Sequence, residues 1–146
     1  MARGYPDYFG TSLFPRMGIF TTYSSGAVIC PNGVTTEIFD LTEKMVLFGG
    51  YIILGGPPLE NLISVRHTID GTVFPQFSLD DLAKIGAYQE SVQTFYFLVR
   101  AQDAAYYVLG ITKDIIVQSQ FKMSVIQSTG AGQVVQAEIM YGKIVR

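Results

Sequence analysis

One stretch of the sequence decides the fold: FKMSVIQSTGAGQVVQAEIMY, residues 121–141. Its first run places apolar side chains at every second position, and Val135 to Tyr141 resume the same alternation after a break. A period of two indicates β-strands that bury one face. The break at 128–132 is rich in glycine and lies between the two runs, so we predict a long terminal β-hairpin with a flexible loop.

The same signal recurs towards the N-terminus. Met45–Leu54 is nearly continuous in apolar residues, which predicts a strand buried on both faces, and Gly49-Gly50 within it predicts a bulge or a close backbone approach. The other predicted strands are Gly18–Tyr23, Val34–Leu41, Ser64–Ile69, Thr72–Phe74, Val92–Arg100 and Ala104–Ile111.

Two local motifs punctuate these strands. Asp70-Gly71 separates two strand-like runs, and this pair favours the two-residue type I′ turn, which needs positive φ at both positions. Ser78 begins a helix predicted to run to Ile85, with Asp81 completing a capping box and Gly86 suited to the position after the helix end.

The element pattern defines the fold class. About eight strands with one short helix, and turn signals every 8–12 residues, are typical of an all-β antiparallel sandwich. Length and strand count fit a jelly-roll-like β-sandwich best, with an open barrel as the alternative. We predict an extended N-terminal arm over residues 1–16 and a single β-sandwich domain over 17–146.

The arm alternates aromatic residues with proline and glycine. Proline and glycine disfavour regular structure, yet the aromatic rings would be costly to leave in water. We therefore expect an extended segment whose side chains dock in grooves, either of its own domain or of a neighbouring subunit. The predicted docking residues are Tyr5, Pro6, Tyr8, Phe9, Leu13 and Phe14.

Composition narrows the classes of partner. Apolar residues make up 49% of the 146 residues before glycine is counted, and charged residues only 15%, against about 25% in an ordinary domain. Disorder is excluded by this balance. The most apolar stretch, Met45–Leu59, is broken by Gly and Pro pairs and is shorter than the roughly twenty residues of a spanning helix, so we expect no membrane partner. The ten basic residues are scattered from Arg3 to Arg146, which argues against nucleic acid as a partner.

The search for chemistry leaves few candidates. His67 is the only histidine, and we expect it to be an exposed or half-buried strand residue rather than a catalytic base. Cys30 is the only cysteine and is interpreted as a small buried hydrophobe. We predict no catalytic residues, no cofactor and no metal site, and hence no enzyme.

Acidic residues were the remaining candidates for a metal site. Asp40, Glu43 and Glu60 flank strand ends, but their spacing resembles no calcium loop. Asp80 and Asp81 lie in the first turn of the predicted helix, where anions oppose the helix dipole, and this position accounts for them.

The order of these features resembles a class of viral proteins. An aromatic arm, a β-sandwich, the hairpin Ile69-Asp70-Gly71-Thr72, the short helix Ser78–Gly86 and a long terminal hairpin together look like small bacteriophage virion proteins, such as jelly-roll capsid decoration proteins and head or tail adaptors. The resemblance implies a homotrimer or other ring on the capsid surface, made in the host cytoplasm. It also implies an arm that contacts the shell or a neighbour, and no enzymatic activity.

Surplus apolar content, a docking arm and the lack of catalytic groups favour a structural protein. We expect a virion protein that decorates or cements a capsid, as a homo-oligomer bound to the major capsid protein or another virion protein. The alternative is a carbohydrate- or ligand-binding β-sandwich module that stacks aromatic side chains on sugars, and an enzyme dependent on His67 comes third. Ten aromatic residues could include such a platform, although core packing is the expected role of most: Tyr5, Tyr8, Phe9, Tyr88, Phe95, Tyr96, Phe97, Tyr106, Tyr107 and Tyr141.

Overall fold

The computed structural model describes residues 17–55, 60–90, 93–101 and 106–144, and these form twelve strands and one α-helix. The helix is α1, Leu79–Lys84. The strands in chain order are β1 Met17–Ser24, β2 Val28–Cys30, β3 Thr35–Leu41, β4 Met45–Gly55, β5 Ile63–Ile69, β6 Thr72–Val73, β7 Phe77–Ser78, β8 Phe95–Ala101, β9 Tyr106–Ile111, β10 Ile116–Val117, β11 Phe121–Gln127 and β12 Gln133–Ile144.

The strands build two antiparallel sheets that pack as a sandwich. The seven-stranded sheet has the order β1-β12-β4-β9-β8, with β2 beside β12 and β10 beside β4. The five-stranded sheet has the order β3-β11-β5-β6, with β7 beside β5. Four of the twelve strands have only two or three residues, so the prediction of about eight strands is confirmed by the longer ones.

The path of the chain is jelly-roll-like. Strands β1, β3, β4 and β5 alternate between the two sheets, and the first strand pairs with the last. The chain therefore wraps around a core shared by both sheets, as in double-sheet jelly rolls. In that core the rings of Phe39 and Phe121 meet edge-to-face at 5.0 Å.

Strand β4 is the centre of the seven-stranded sheet, and it contains the predicted irregularity. Its register against β12 skips Phe48, because Leu47 lies opposite Tyr141 and Gly49 opposite Met140. This extra residue moves the buried positions from odd to even numbers along the strand. A Cβ at Gly50 would overlap the carbonyl oxygen of Glu138, so the close backbone approach is also confirmed.

Both short motifs have the predicted form. Asp70 and Gly71 have φ of 52° and 83° in the turn between β5 and β6. Ser78 caps α1 and forms the capping box with Asp81. The Asp70 carboxylate also accepts backbone N–H groups of residues 118, 119 and 120; burial opposes ionisation, but these hydrogen bonds outweigh it and lower the pKa of Asp70.

The predicted terminal hairpin is wrong. Strands β11 and β12 lie in different sheets, because β11 pairs with β3 and β5 whereas β12 pairs with β1, β2 and β4. Both edges of β11 are thus occupied, and β12 has no edge free to receive it. Residues 128–132 cross from one sheet to the other instead of turning back within one sheet.

A buried glutamine organises this crossing. Gln127 is completely buried at the end of β11, and its Nε2 donates to the carbonyl oxygens of Cys30 and Ala131 at 2.9 and 2.7 Å. Its Oε1 accepts hydrogen bonds from the backbone N–H and the hydroxyl of Thr129 at 2.9 and 2.7 Å. Three of these four hydrogen bonds are made to Thr129 and Ala131 within the connection, so the side chain of Gln127 fixes its path.

Helix α1 covers one end of the sandwich. Leu79 and Leu82 face the core and are buried, while Asp80 pairs with Lys84 on the outer side at 2.8 Å. Among the described residues, no helix is long and apolar enough to span a bilayer.

Replacing Gln127 by methionine tests the role of its amide. The variant keeps a similar side-chain volume but removes the amide donor to the Cys30 carbonyl oxygen and the acceptor of the Thr129 N–H, so we expect a loss of about 2–4 kcal/mol in unfolding free energy. Guanidinium chloride denaturation measures this difference. The exposed Gln118→Met serves as control and should change stability by less than about 0.5 kcal/mol. A Gln127 variant as stable as that control would contradict the assignment.

Candidate functional site

The outward side of the seven-stranded sheet is apolar, and we call it the apolar face. Its position follows from register: Tyr51 in β4 lies opposite Glu138 in β12 and Gly110 in β9, and Tyr96 in β8 completes this outward row. The exposed apolar members of the face are Phe20, Ile29, Tyr51, Val99, Tyr106, Ile116, Val134 and Met140.

These side chains are large and well exposed. Phe20 is 61% exposed, although its ring stacks on that of Phe48 at 5.6 Å, and Val134 is 51% exposed. Tyr51 and Met140 are 40% and 41% exposed near the middle of the sheet. A contiguous apolar surface on a folded domain marks a site of interaction, whereas scattered apolar residues do not.

Strand β4 explains why the sequence pattern was continuous there. Its inward residues are buried as predicted, but Val46, Phe48 and Ile53 on the outward side are only partly covered and Tyr51 is exposed. The prediction of a strand buried on both faces is therefore wrong for the chain by itself. The outward half of its apolar run belongs to the apolar face.

The outward side of the five-stranded sheet has the opposite character. Asp40, Lys122 and Thr68 lie side by side across β3, β11 and β5, and Glu37, Ser124 and Arg66 form a second such row. Arg66 and Lys122 line a depression of about 220 Å³ there. One side of the sandwich is thus charged and the other apolar, although both have the same pleated backbone.

Glu138 is the only charged residue on the described part of the apolar face. Its Oε1 accepts hydrogen bonds from the Ser24 hydroxyl at 2.7 Å and from Nε2 of Gln136 at 3.1 Å. These neutral partners orient the carboxylate and do not neutralise it. Whatever covers the face must therefore bring a cation or a hydrogen-bond donor to Glu138.

A depression of about 200 Å³ lies beside this carboxylate. Gly50 and Ile139 lie opposite each other in the sheet and line the depression with their main chain only. Gly50 has no side chain, and the side chain of Ile139 is fully buried in the core. Thr22, Tyr51 and Met140 complete the lining together with Glu138. An engineered apolar cavity of about 150 Å³ holds benzene, so this depression has room for one aromatic ring.

The docking residues predicted from the sequence lie outside the described residues. Tyr5, Pro6, Tyr8, Phe9, Leu13 and Phe14 all precede Met17, where the description begins. The structure does describe where that segment joins the sandwich. Met17 is the first residue of β1, a strand at the edge of the seven-stranded sheet, and it lies opposite Ile144.

His67 is more deeply buried than predicted. It is 2% exposed in β5, with its ring stacked on Phe74 at 4.5 Å and edge-on to Phe95 at 4.9 Å. Its Nε2 lies 2.9 Å from the Thr94 hydroxyl, while Nδ1 is buried without a hydrogen-bond partner. Burial lowers the pKa of His67 to about 4, so the ring is neutral near pH 7. Sequence alternation placed His67 in a strand but did not reveal which side of that strand faces the core.

The acidic candidates are separated and have structural partners. Asp40 accepts a hydrogen bond from the Gln120 amide, and Glu43 pairs with Lys143 at 3.5 Å. Glu60 is buried and forms a bidentate ion pair with Arg100, at 2.8 and 2.7 Å. Within the described ranges, no group of three or more His, Cys, Asp or Glu residues is placed to hold a metal ion.

Most of the remaining sequence candidates are buried. Cys30 is fully buried, as predicted, and burial raises the pKa of its thiol. Of the aromatic residues considered for a sugar platform, Phe95, Phe97, Tyr107 and Tyr141 are buried, whereas Tyr88 and Tyr106 are exposed. Tyr51 was not among those considered, although it is exposed beside the depression. The continuous apolar run of β4 was the available signal for it.

Comparison with known proteins adds no relative: no protein-family model matches the chain, and no curated protein sequence matches it significantly. The functional argument therefore depends on the geometry of this chain.

Burial of His67 predicts sensitivity to acid. Its pKa is about 4 in the folded chain and about 6.5 when unfolded, so the stability that depends on the neutral ring is complete above pH 6.5 and is lost as the pH falls towards 4. The shift corresponds to about 3 kcal/mol. His67→Phe retains an aromatic ring between Phe74 and Phe95 but has no group that titrates in this range. Between pH 6.5 and pH 4, we therefore expect its unfolding free energy to fall by about 3 kcal/mol less than that of the unmodified chain. Denaturant titrations at pH 7, 5.5 and 4 measure the difference, and equal losses in both proteins would contradict it.

Proposed function

We propose that this chain is a structural protein of a virion that assembles through its apolar face, as a decoration or cement protein on a capsid. The observation that carries the proposal is the contrast between the two outer sides of the sandwich. In the part of the chain that the structure describes, the apolar face exposes large aliphatic and aromatic side chains around one carboxylate, whereas the other side carries charges of both signs. Permanent interfaces are apolar in this way and resemble a domain core cut in half.

The fold supports the virion assignment by analogy. Jelly-roll sandwiches occur in viral capsid proteins, and also in lectins and cupins. Fold alone does not determine function, so the assignment depends on the face. A decoration protein needs one side that binds the shell and one side that faces water. The apolar face is suited to the first role and the charged side to the second.

A carbohydrate- or ligand-binding module is the second candidate, and one observation favours it. Tyr51 borders the depression next to the Glu138 carboxylate and the Thr22 hydroxyl. An aromatic ring with adjacent hydrogen-bonding groups is suited to a sugar, because it offers both a stacking surface and polar contacts.

Charges placed on the apolar face test the proposal. We define the face variant as Tyr51→Lys with Met140→Lys, and its control as Val73→Lys, since Val73 is equally apolar and 64% exposed on the opposite side of the sandwich. The full-length chain should form an oligomer, with a trimer favoured, at micromolar concentration. The face variant should dissociate at least 100-fold more readily, because lysine ammonium groups in an apolar interface lose their hydration.

Analytical ultracentrifugation measures these assemblies, and near-UV circular dichroism checks that each variant is folded. An unmodified chain that remains monomeric at 50 µM (about fifty times the concentration at which we expect assembly) would contradict self-assembly. Binding of that monomer to a glycan array, abolished in the face variant, would favour the carbohydrate module instead. Gene context tests the virion assignment: neighbouring genes for head or tail proteins would support it, and an operon of metabolic enzymes would oppose it.

A further inference from the structure

We infer that the apolar face receives the N-terminal arm, residues 1–16, of a second copy of this chain, with an arm tyrosine in the depression beside Glu138. This inference rests on the proposed function, because it names the partner of the same surface. Beyond the proposed function, it names the segment that covers the face, the position at which that segment is anchored, and the exchange of arms between subunits.

The chemistry of the depression matches a tyrosine. Its floor is the main chain at Gly50 and Ile139, and its walls include the side chains of Tyr51 and Met140. A phenol ring fills such a space, and its hydroxyl donates to a carboxylate at the rim. Glu138 is that carboxylate, and the arm contains two tyrosines, Tyr5 and Tyr8.

Charge favours the arm over a second apolar face. Stacking two such faces about a twofold axis near the middle of the sheet would bring the two Glu138 carboxylates together, and like charges that lose their water repel strongly. The arm contains Arg3 and Arg16 against the single acid Asp7, so it carries a positive charge to a face on which Glu138 is the only charged residue among those described. Its remaining residues supply the apolar contacts.

The length of the arm is sufficient. Sixteen extended residues reach roughly 50 Å, whereas the five main strands of the sheet are about 19 Å across at the usual strand spacing. The arm joins the sandwich at Met17, at one edge of this sheet. It can therefore extend from one subunit across the full width of the face on another.

The proposed self-assembly favours exchange over docking on the arm's own subunit. Copies of the chain are proposed to associate through the apolar face. An arm that occupies this face and contributes to that association therefore comes from another copy.

A mixing experiment with full-length chains tests the exchange. The arm variant carries Tyr5→Ser, Tyr8→Ser, Phe9→Ser and Phe14→Ser and retains an intact face, while the face variant defined above retains an intact arm. Thr11→Ala with Ser12→Ala is the matched arm control and should assemble like the unmodified chain. Each of the first two variants alone should dissociate at least 100-fold more readily than the unmodified chain. Mixed in equal amounts, they should form a heterodimer, because the arm of one fits the face of the other.

A third variant tests the anchor. Glu138→Gln retains the shape of the side chain but removes its charge, and it should raise the dissociation constant of the oligomer about tenfold. Its assembly should also depend less on salt than that of the unmodified chain. An unchanged dissociation constant and salt dependence would overturn the assignment of Glu138.

The outcomes separate this inference from the proposed function. If the unmodified chain and the arm variant form equally stable oligomers while the face variant does not, the face is an interface but the arm is not its occupant. If both variants are monomeric and mixing yields no heterodimer, the arm of one copy does not bind the face of another, and the exchange is wrong. If the unmodified chain is itself monomeric, the proposed self-assembly fails, and the inference fails with it.

Discussion

The close approach of β4 to β12 at Gly50 is the constraint on which the rest of the structure depends. β4 is the strand to which β12, β9 and β10 all pair, so its register determines that of the whole seven-stranded sheet. The extra residue before Gly49 allows Met45 and Leu47, and then Ile52 and Leu54, to face the same core. No side chain at position 50 could avoid the Glu138 carbonyl oxygen, so glycine is required there by contact distance.

The same constraint shapes the surface. Where the backbones of Gly50 and Ile139 lie opposite each other, neither provides a side chain on the outward side, and the depression beside Glu138 results. The same irregularity in β4 therefore sets the packing of the core on one side of the sheet and forms the depression on the other. This coupling accounts for a binding feature in the middle of a sheet, far from the loops that usually carry function.

Several elements were predictable because the interactions that form them are local. The Asp70-Gly71 turn and the Ser78 capping box involve groups within three residues of one another, so their sequence signals were sufficient. The terminal hairpin was wrong because strand pairing is not local: alternation in β11 and β12 showed that each strand buries one face but not which strands are neighbours. The buried amide of Gln127 holds the connection that crosses to the other sheet. In the sequence, Gln127 cannot be distinguished from any other polar residue at a strand end.

The sequence by itself determined that this protein is an all-β sandwich with one short helix, since period two, turn residues and caps are properties of consecutive residues. It also indicated a surplus of apolar surface, because composition does not depend on folding. Only the tertiary structure decided where that surplus lies, on the outward side of the seven-stranded sheet and around Glu138. The physical reason is that sheet order brings residues from both ends of the chain into one row, and no pattern along the chain encodes which side of a strand another layer will cover.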